Sequence, residues 1–246
     1  MRGFPRISSL PLVAGEKQSS SPVMKDMISP MENTVYFLPN SDARQSQIYF
    51  YIPMGDYNRE ENVRREAFNQ YISGGFSGLI MNEIREKNSM AYTAYGFASS
   101  CGLPGAQTYF SGYIGTQNDK AVDAIDLYMK LLTDMPERPG RIDNIKSYLR
   151  QSALTDHPDS RNLSLRIAEW KRRGYTDDPA KKELPLIDSL TFPDIVDYYQ
   201  KNIKGKPIII GVLGNPKDIS IDALKKFGKV IRLNEKKLFN EKDTMF

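Results

Sequence analysis

Phe68–Phe97 reads FNQYISGGFSGLIMNEIREKNSMAYTAYGF, and this run decides the fold. Upstream of it, Val63, Ala67, Phe68, Tyr71 and Ile72 recur at helical spacing with charges opposite, so Glu60–Ser73 is predicted as an amphipathic helix. Gly74-Gly75 stops it, because glycine adopts the backbone angles of a helix C-terminus without steric cost. A second helix is predicted from Ser77, as its N-cap, to Lys87, with Leu79, Ile80 and Ile84 on its inner side and Arg85-Glu86-Lys87 at its exposed end. Alternating aromatics from Ala91 to Ser99 then read as a strand.

Working outward, Asn33–Leu38 and Gln45–Pro53 are β-rich runs separated by the turn formers Pro39-Asn40-Ser41-Asp42. In the second run Ile48, Phe50 and Ile52 share one face, with Tyr49 and Tyr51 on the other. Gln107–Thr116 is a further aromatic strand, followed by long helices over Asn118–Met135, Ile142–Thr155 and Arg161–Arg173. Asp177–Pro185 contains two prolines and is read as a connection, and Phe192–Ile203 as a helix. Pro207–Gly214 (PIIIGVLG) is the most apolar strand and is placed centrally; a short helix closing at Leu224–Phe227 and a strand Val230–Leu233 follow. The order predicts an α+β fold, a mostly antiparallel sheet with helices mainly on one face. Residues 1–31, rich in Ser and Pro, read as a linker or arm, and 32–246 as a single domain.

Composition narrows the function. Among 246 residues, 40% are hydrophobic and 26% charged, the mix of an ordinary globular chain, and a net charge of +4 does not make nucleic acid the default partner. Cys101 is alone, which leaves no internal disulfide; with no His beside it, it reads as a plain turn or half-buried thiol. No apolar run approaches a membrane span, and the Arg2–Ala14 segment is too interrupted for a signal peptide. If the whole protein is exported, its signal lies upstream. His157, in Asp156-His157-Pro158-Asp159, is the only histidine, and the expectation is a solvated or helix-capping imidazole rather than a metal ligand. Tyr92, Tyr95, Phe97, Tyr109, Phe110 and Tyr113 interleave on two strands that carry no Lys or Arg, which predicts a packed, partly solvated sheet face rather than a surface for single-stranded nucleic acid. Trp170-Lys171-Arg172-Arg173 reads as a basic helix end matching the helix dipole.

The helix–Gly-Gly–helix–Arg-Glu-Lys–Ala-Tyr run resembles the pitrilysin-like (M16, inverzincin) zinc metallopeptidases, and more narrowly their domain that does not hold the metal. The resemblance spans roughly Asn33–Leu238 and implies a processing-peptidase-like (LuxS-type) metallohydrolase fold. The family's H-x-x-E-H motif is missing, and one histidine cannot build its zinc site. The resemblance implies an inactive peptidase domain, with no catalytic residue, metal or cofactor of its own. Zinc is expected in a homologous partner half, encoded in the same polypeptide or as a separate subunit, and the partnership would cleave unfolded peptides. It further implies that Arg85 and Tyr92, seven positions apart, reach toward that half to bind substrate backbone, and that Gly74 and Gly75 border the peptide chamber. Read from residues alone, Arg85 could equally pair with Glu83 or Glu86, and Tyr92 could be a sheet aromatic. The alternative function is a structural or interaction subunit of the same fold. A small-ligand site at Gly74–Gly78 is a weaker possibility, since the spacing is not that of a phosphate-binding loop.

Overall fold

Period-two alternation in β2 (Gln45–Asp56) buries Ser46, Ile48, Phe50, Ile52 and Met54 and turns the intervening residues outward. The computed structural model describes residues 29–156 and 159–235. The expected arm at 1–31 therefore falls largely outside the described residues, as does His157.

β1 (Thr34–Pro39), β2, β3 (Thr93–Ser99), β4 (Gln107–Gln117), β5 (Ile209–Gly214) and β6 (Lys229–Arg232) form one sheet in the order β3-β4-β2-β5-β1-β6. The pairs β3–β4, β4–β2 and β2–β5 are antiparallel, while β5–β1 and β1–β6 are parallel. The most apolar strand, β5, lies inside the sheet as its composition predicts.

Helices cover the inward face. α1 (Asn62–Ser73) buries Val63, Ala67, Phe68, Tyr71 and Ile72, and Phe68 meets Phe110 of β4 edge-on. α2 (Ala121–Thr133) places Tyr128 in a parallel stack on Phe50, ring centroids 4.0 Å apart. The Tyr128 hydroxyl reaches the Tyr95 carbonyl at 2.8 Å, over Gly96 and Gly112, where a side chain would collide with it. α3 (Ile142–Thr155), α4 (Leu163–Arg172), α5 (Pro179–Ser189) and α6 (Phe192–Asn202) follow, and α7 (Ile221–Leu224) precedes β6. No described helix is long and apolar enough to cross a membrane.

One predicted connection is a helix. α5 starts at Pro179, a favoured first helical position, after Asp178, whose side chain accepts from the Ala180 N–H. Pro185 removes one internal hydrogen bond. Packing outweighs that loss: Ile187 is buried, and Lys146 and Arg150 of α3 bind the carbonyl and carboxylate of Asp188. Ser77 also departs from expectation. Its hydroxyl donates back to the Gly74 carbonyl at 3.2 Å inside a tight Gly75–Ser77 turn, so it caps no following N–H. Cys101 is exposed in the loop between β3 and β4, which fits the plain-turn reading and not the half-buried one.

Candidate functional site

The second helix of the opening motif is wound wide. Met81–Lys87 has π geometry, with Ile84 buried and Arg85 and Lys87 in the last turn. Its end is folded back by three bonds: Ser89 N–H to the Arg85 carbonyl (2.9 Å), Met90 N–H to the Ile84 carbonyl (2.9 Å), and the Asn88 amide to the Glu83 carbonyl (2.6 Å). Ser89 adopts φ +50°, a left-handed turn residue that reverses the chain toward β3. The Tyr92 N–H then joins the Gly115 carbonyl at 3.0 Å, one residue before β3 begins.

This reversal brings Arg85 and Tyr92 together. Both line a cleft of about 350 Å³ at the sheet rim, with Glu86, Ser89, Gln117 and Lys120. Tyr92 is 57% exposed, and its hydroxyl accepts from the Gln117 amide at 3.4 Å. The Thr116 hydroxyl donates to the Met90 carbonyl and fixes the cleft floor. The Arg85 Nε lies 3.7 Å from the Glu86 carboxylate, a loose exposed pair. Glu83, the other expected partner, is instead taken by Lys87 at 3.0 Å and by Arg138.

Gly74 and Gly75 lie elsewhere. Gly74 ends α1 and Gly75 takes φ +58°, so the glycine stop stands. The adjoining turn of α1 seals the outer edge of β3: Ser73 accepts from the Gly96 N–H at 2.8 Å, and the Asn69 amide binds both the N–H and the carbonyl of Ala98. The glycines thus sit at mid-strand of β3, and Arg85 and Tyr92 at its entrance.

Lys120 was not singled out by sequence reasoning. It follows β4 by only three residues, yet its ammonium reaches the Ser89 carbonyl at 3.4 Å, a contact 31 positions apart that no local pattern signals. Among the described residues the cleft therefore has Arg85, Tyr92 and Lys120 as donors and one carboxylate, Glu86. This arrangement suits hydrogen bonding to carbonyl oxygens or other electron-rich groups. No three His, Cys, Asp or Glu side chains converge on a metal position among the described residues.

A larger cleft, about 630 Å³, lies on the helical layer between Arg59, Arg64, Glu183 and Leu186. Several of its charges already have protein partners. Arg64 meets Asp194 at 2.8 Å, and Glu183 accepts from Asn62 and Tyr175. Burial raises the Glu183 carboxyl above its ordinary range despite those two bonds.

The outward sheet face adjoins the rim cleft. Its outward residues on β1–β5 include Tyr36, Tyr49, Tyr51, Tyr95, Tyr109 and Tyr113, with Phe97 beside Tyr95. Tyr49 is 54% exposed and Phe97 40%. The partly solvated aromatic face read from the sequence is present, except that Phe110 alternates to the inward face and is fully buried against Phe68.

Residues 12–139 match the family model of the peptidase M16 inactive domain. An uncharacterized zinc protease of Streptomyces coelicolor is 27% identical over 162 residues, which cover 62% of this chain and 33% of that protein; the chain spans about a third of that curated relative. Among solved structures, the peptidase M16 inactive domain from Pseudomonas fluorescens superposes with a TM-score of 0.64 at 15% identity, over 79% of this chain and 47% of that one. A protease from Helicobacter pylori gives 0.62 at 14% identity, over 81% and 48%. The periplasmic protease PqqL of Escherichia coli gives 0.61 at 16% identity, over 80% and 22%. These structural likenesses establish a shared fold.

Proposed function

The chain belongs to the peptidase M16 inactive-domain family, and from that premise we propose that it is the non-catalytic half of a zinc peptidase, supplying chamber wall and substrate-binding donors to a zinc-bearing half. The observation that carries this reading is the convergence of Arg85 and Tyr92 in one rim cleft beside an open sheet face. A guanidinium and a phenol at that rim donate to the carbonyls of an extended peptide, hold it in register and leave the bond breaking to the partner half. The chain's own residues do not fit the family's zinc site, since it has a single histidine, His157. The chamber wall is the outward face of β1–β5, and closure of two such halves excludes water from the bound peptide.

The test is cleavage of a quenched-fluorescent unstructured peptide by this chain with and without an H-x-x-E-H-bearing half, zinc present throughout. Activity is expected only in the mixture. In that mixture Arg85→Ala is expected to lower kcat/KM by about tenfold or more, the scale of a lost charged hydrogen bond, and Tyr92→Phe by less, with the metal content of the partner unchanged. Unchanged turnover in both variants would reduce the pair to scaffolding and leave a structural or interaction subunit as the function.

A further inference from the structure

The outward face has an unusual chemistry for an open surface. Among the described outward positions of β1–β5 the one charged residue is Asp56, which pairs with Gln107 beyond the register shift at the end of β2; there is no Glu, Lys or Arg. Besides its rings it presents Gln, Ser, Thr, Pro, Gly, Leu and Ile. Solvated sheet faces ordinarily carry charged side chains, which keep them soluble and blunt association. Here the charges stop at the margins: Arg85, Glu86 and Lys120 at the rim cleft, Asp56 at the end of β2, and Lys229 on β6.

Register gathers the rings. Tyr95, Tyr113, Tyr49, Gly211 and Tyr36 are successive partners across β3, β4, β2, β5 and β1, and so form one row across the face. Tyr95 and Tyr113 lie 5.2 Å apart by ring centroid, and Tyr113 and Tyr49 5.1 Å. Tyr95 also stacks on Phe97 at 5.8 Å. At Gly211 the row drops to bare backbone. A Cβ placed there meets only the Cβ of Tyr49, at 3.8 Å, which leaves a notch one side chain deep. The Tyr113 hydroxyl is already engaged with Gln47, so the row presents ring faces more than free hydroxyls.

We propose that this face selects uncharged stretches of unfolded polypeptide rich in aromatic and aliphatic residues; the inference rests on the chamber-wall reading above and names the substrate class of that wall. A charged side chain laid on the row would lose water and find no opposite charge. An acidic one would also meet the negative faces of the rings, whereas a basic one recovers part of its loss through cation–π attraction. The expected order is neutral, then basic, then acidic. Single-stranded nucleic acid is disfavoured, because a stacking platform without cations leaves its phosphates unmatched.

The experiment measures binding to the full 246-residue chain alone, with no cleavage required. Three labelled unstructured peptides of one length are titrated by fluorescence anisotropy at low and high salt: one rich in Leu, Phe, Ser and Asn, and two in which every third residue is Lys or Asp. An oligo-dT of similar length is the fourth probe. The neutral peptide is expected to bind about tenfold or more tighter than the acidic one, with little salt dependence. The exposed-residue variant Tyr49→Ala/Tyr95→Ala is expected to weaken it about fivefold, with unchanged circular dichroism. Equal affinity for all three peptides, still weakened by the variant, would overturn the charge selectivity and leave the chamber wall standing. Affinities that the variant does not move, or no binding at all, would overturn the wall as a contact surface as well. Tighter binding of oligo-dT than of the neutral peptide would overturn the proposal in favour of nucleic acid.

Discussion

Tyr49 and Phe50 are neighbours in sequence and lie on opposite sides of one sheet. Phe50 is 1% exposed and sandwiched against Tyr128, while Tyr49 is 54% exposed. Both faces are rich in rings, so hydrophobicity alone does not tell them apart. On the inward face rings alternate with small residues, Ala94, Gly96, Ala98 and Gly112, which let the helices close onto the sheet. On the outward face the rings stand side by side, and no described helix covers them. The inward face is filled by the chain's own helices, and the outward one is left uncovered by any described helix. Aromatic content is therefore a poor guide to burial in this fold; the spacing of small residues is the better one.

The largest effect that would test this contrast is at Phe50. Phe50→Ala removes a fully buried ring and its stacking partner's support, and is expected to cost about 3–5 kcal/mol in denaturant unfolding. Gly112→Ala comes next. Its Cβ would fall 2.1 Å from the Tyr128 hydroxyl oxygen and 2.8 Å from the ring carbon Cζ. Tyr128 cannot swing away freely, because it is stacked on Phe50 and bonded to the Tyr95 carbonyl. The expected cost is about 1–3 kcal/mol, the scale of core overpacking. In a Tyr128→Phe background the penalty should shrink without vanishing, since Cζ still obstructs the methyl. A neutral Gly112→Ala would mean that the helix–sheet contact is looser than its geometry implies.

Much of this architecture was legible in the sequence. The alternation at Ile48, Phe50 and Ile52, the apolar PIIIGVLG strand and the helical spacing from Val63 to Ile72 are local patterns, and each lies where it was expected. α5 was hidden because Pro179 and Pro185 read as breakers; what holds it helical is contact with α3, and packing across elements leaves no local trace. The site divides the same way. The Arg85–Tyr92 spacing was visible, and the turn at Ser89 that makes the two share a cleft was not, nor was Lys120 arriving from the end of β4. The tyrosines of the outer face could be counted along each strand, but their single row depends on interstrand register, which non-local pairing sets.

Tyr49→Ala carries the contrast to its weak side. The ring is half in solvent and touches Tyr113 at 5.1 Å, so its removal should cost about 1 kcal/mol or less of stability while lowering peptide affinity. A loss as large as that of Phe50→Ala would show that the outward face is structural after all.

Tyr51 gives the smallest effect and the most pointed one, because its sign should reverse. Tyr51 lies on the outward face beside Tyr109, ring centroids 5.7 Å apart. Its hydroxyl is buried and has no hydrogen-bond partner among the described residues. That burial, and secondarily the neighbouring Tyr109, push the phenol above its ordinary value, so no proton leaves to relieve the group near neutral pH. An unsatisfied buried hydroxyl costs free energy that its ring does not need for packing. Tyr51→Phe keeps the ring and deletes the burden. It is expected to leave stability unchanged or raise it by up to about 1 kcal/mol in denaturant unfolding, and to leave binding of an uncharged peptide intact. A destabilisation of comparable size would mean that the hydroxyl has found a partner on that face. The outward surface would then be part of the chain's own packing rather than a platform kept open for another chain.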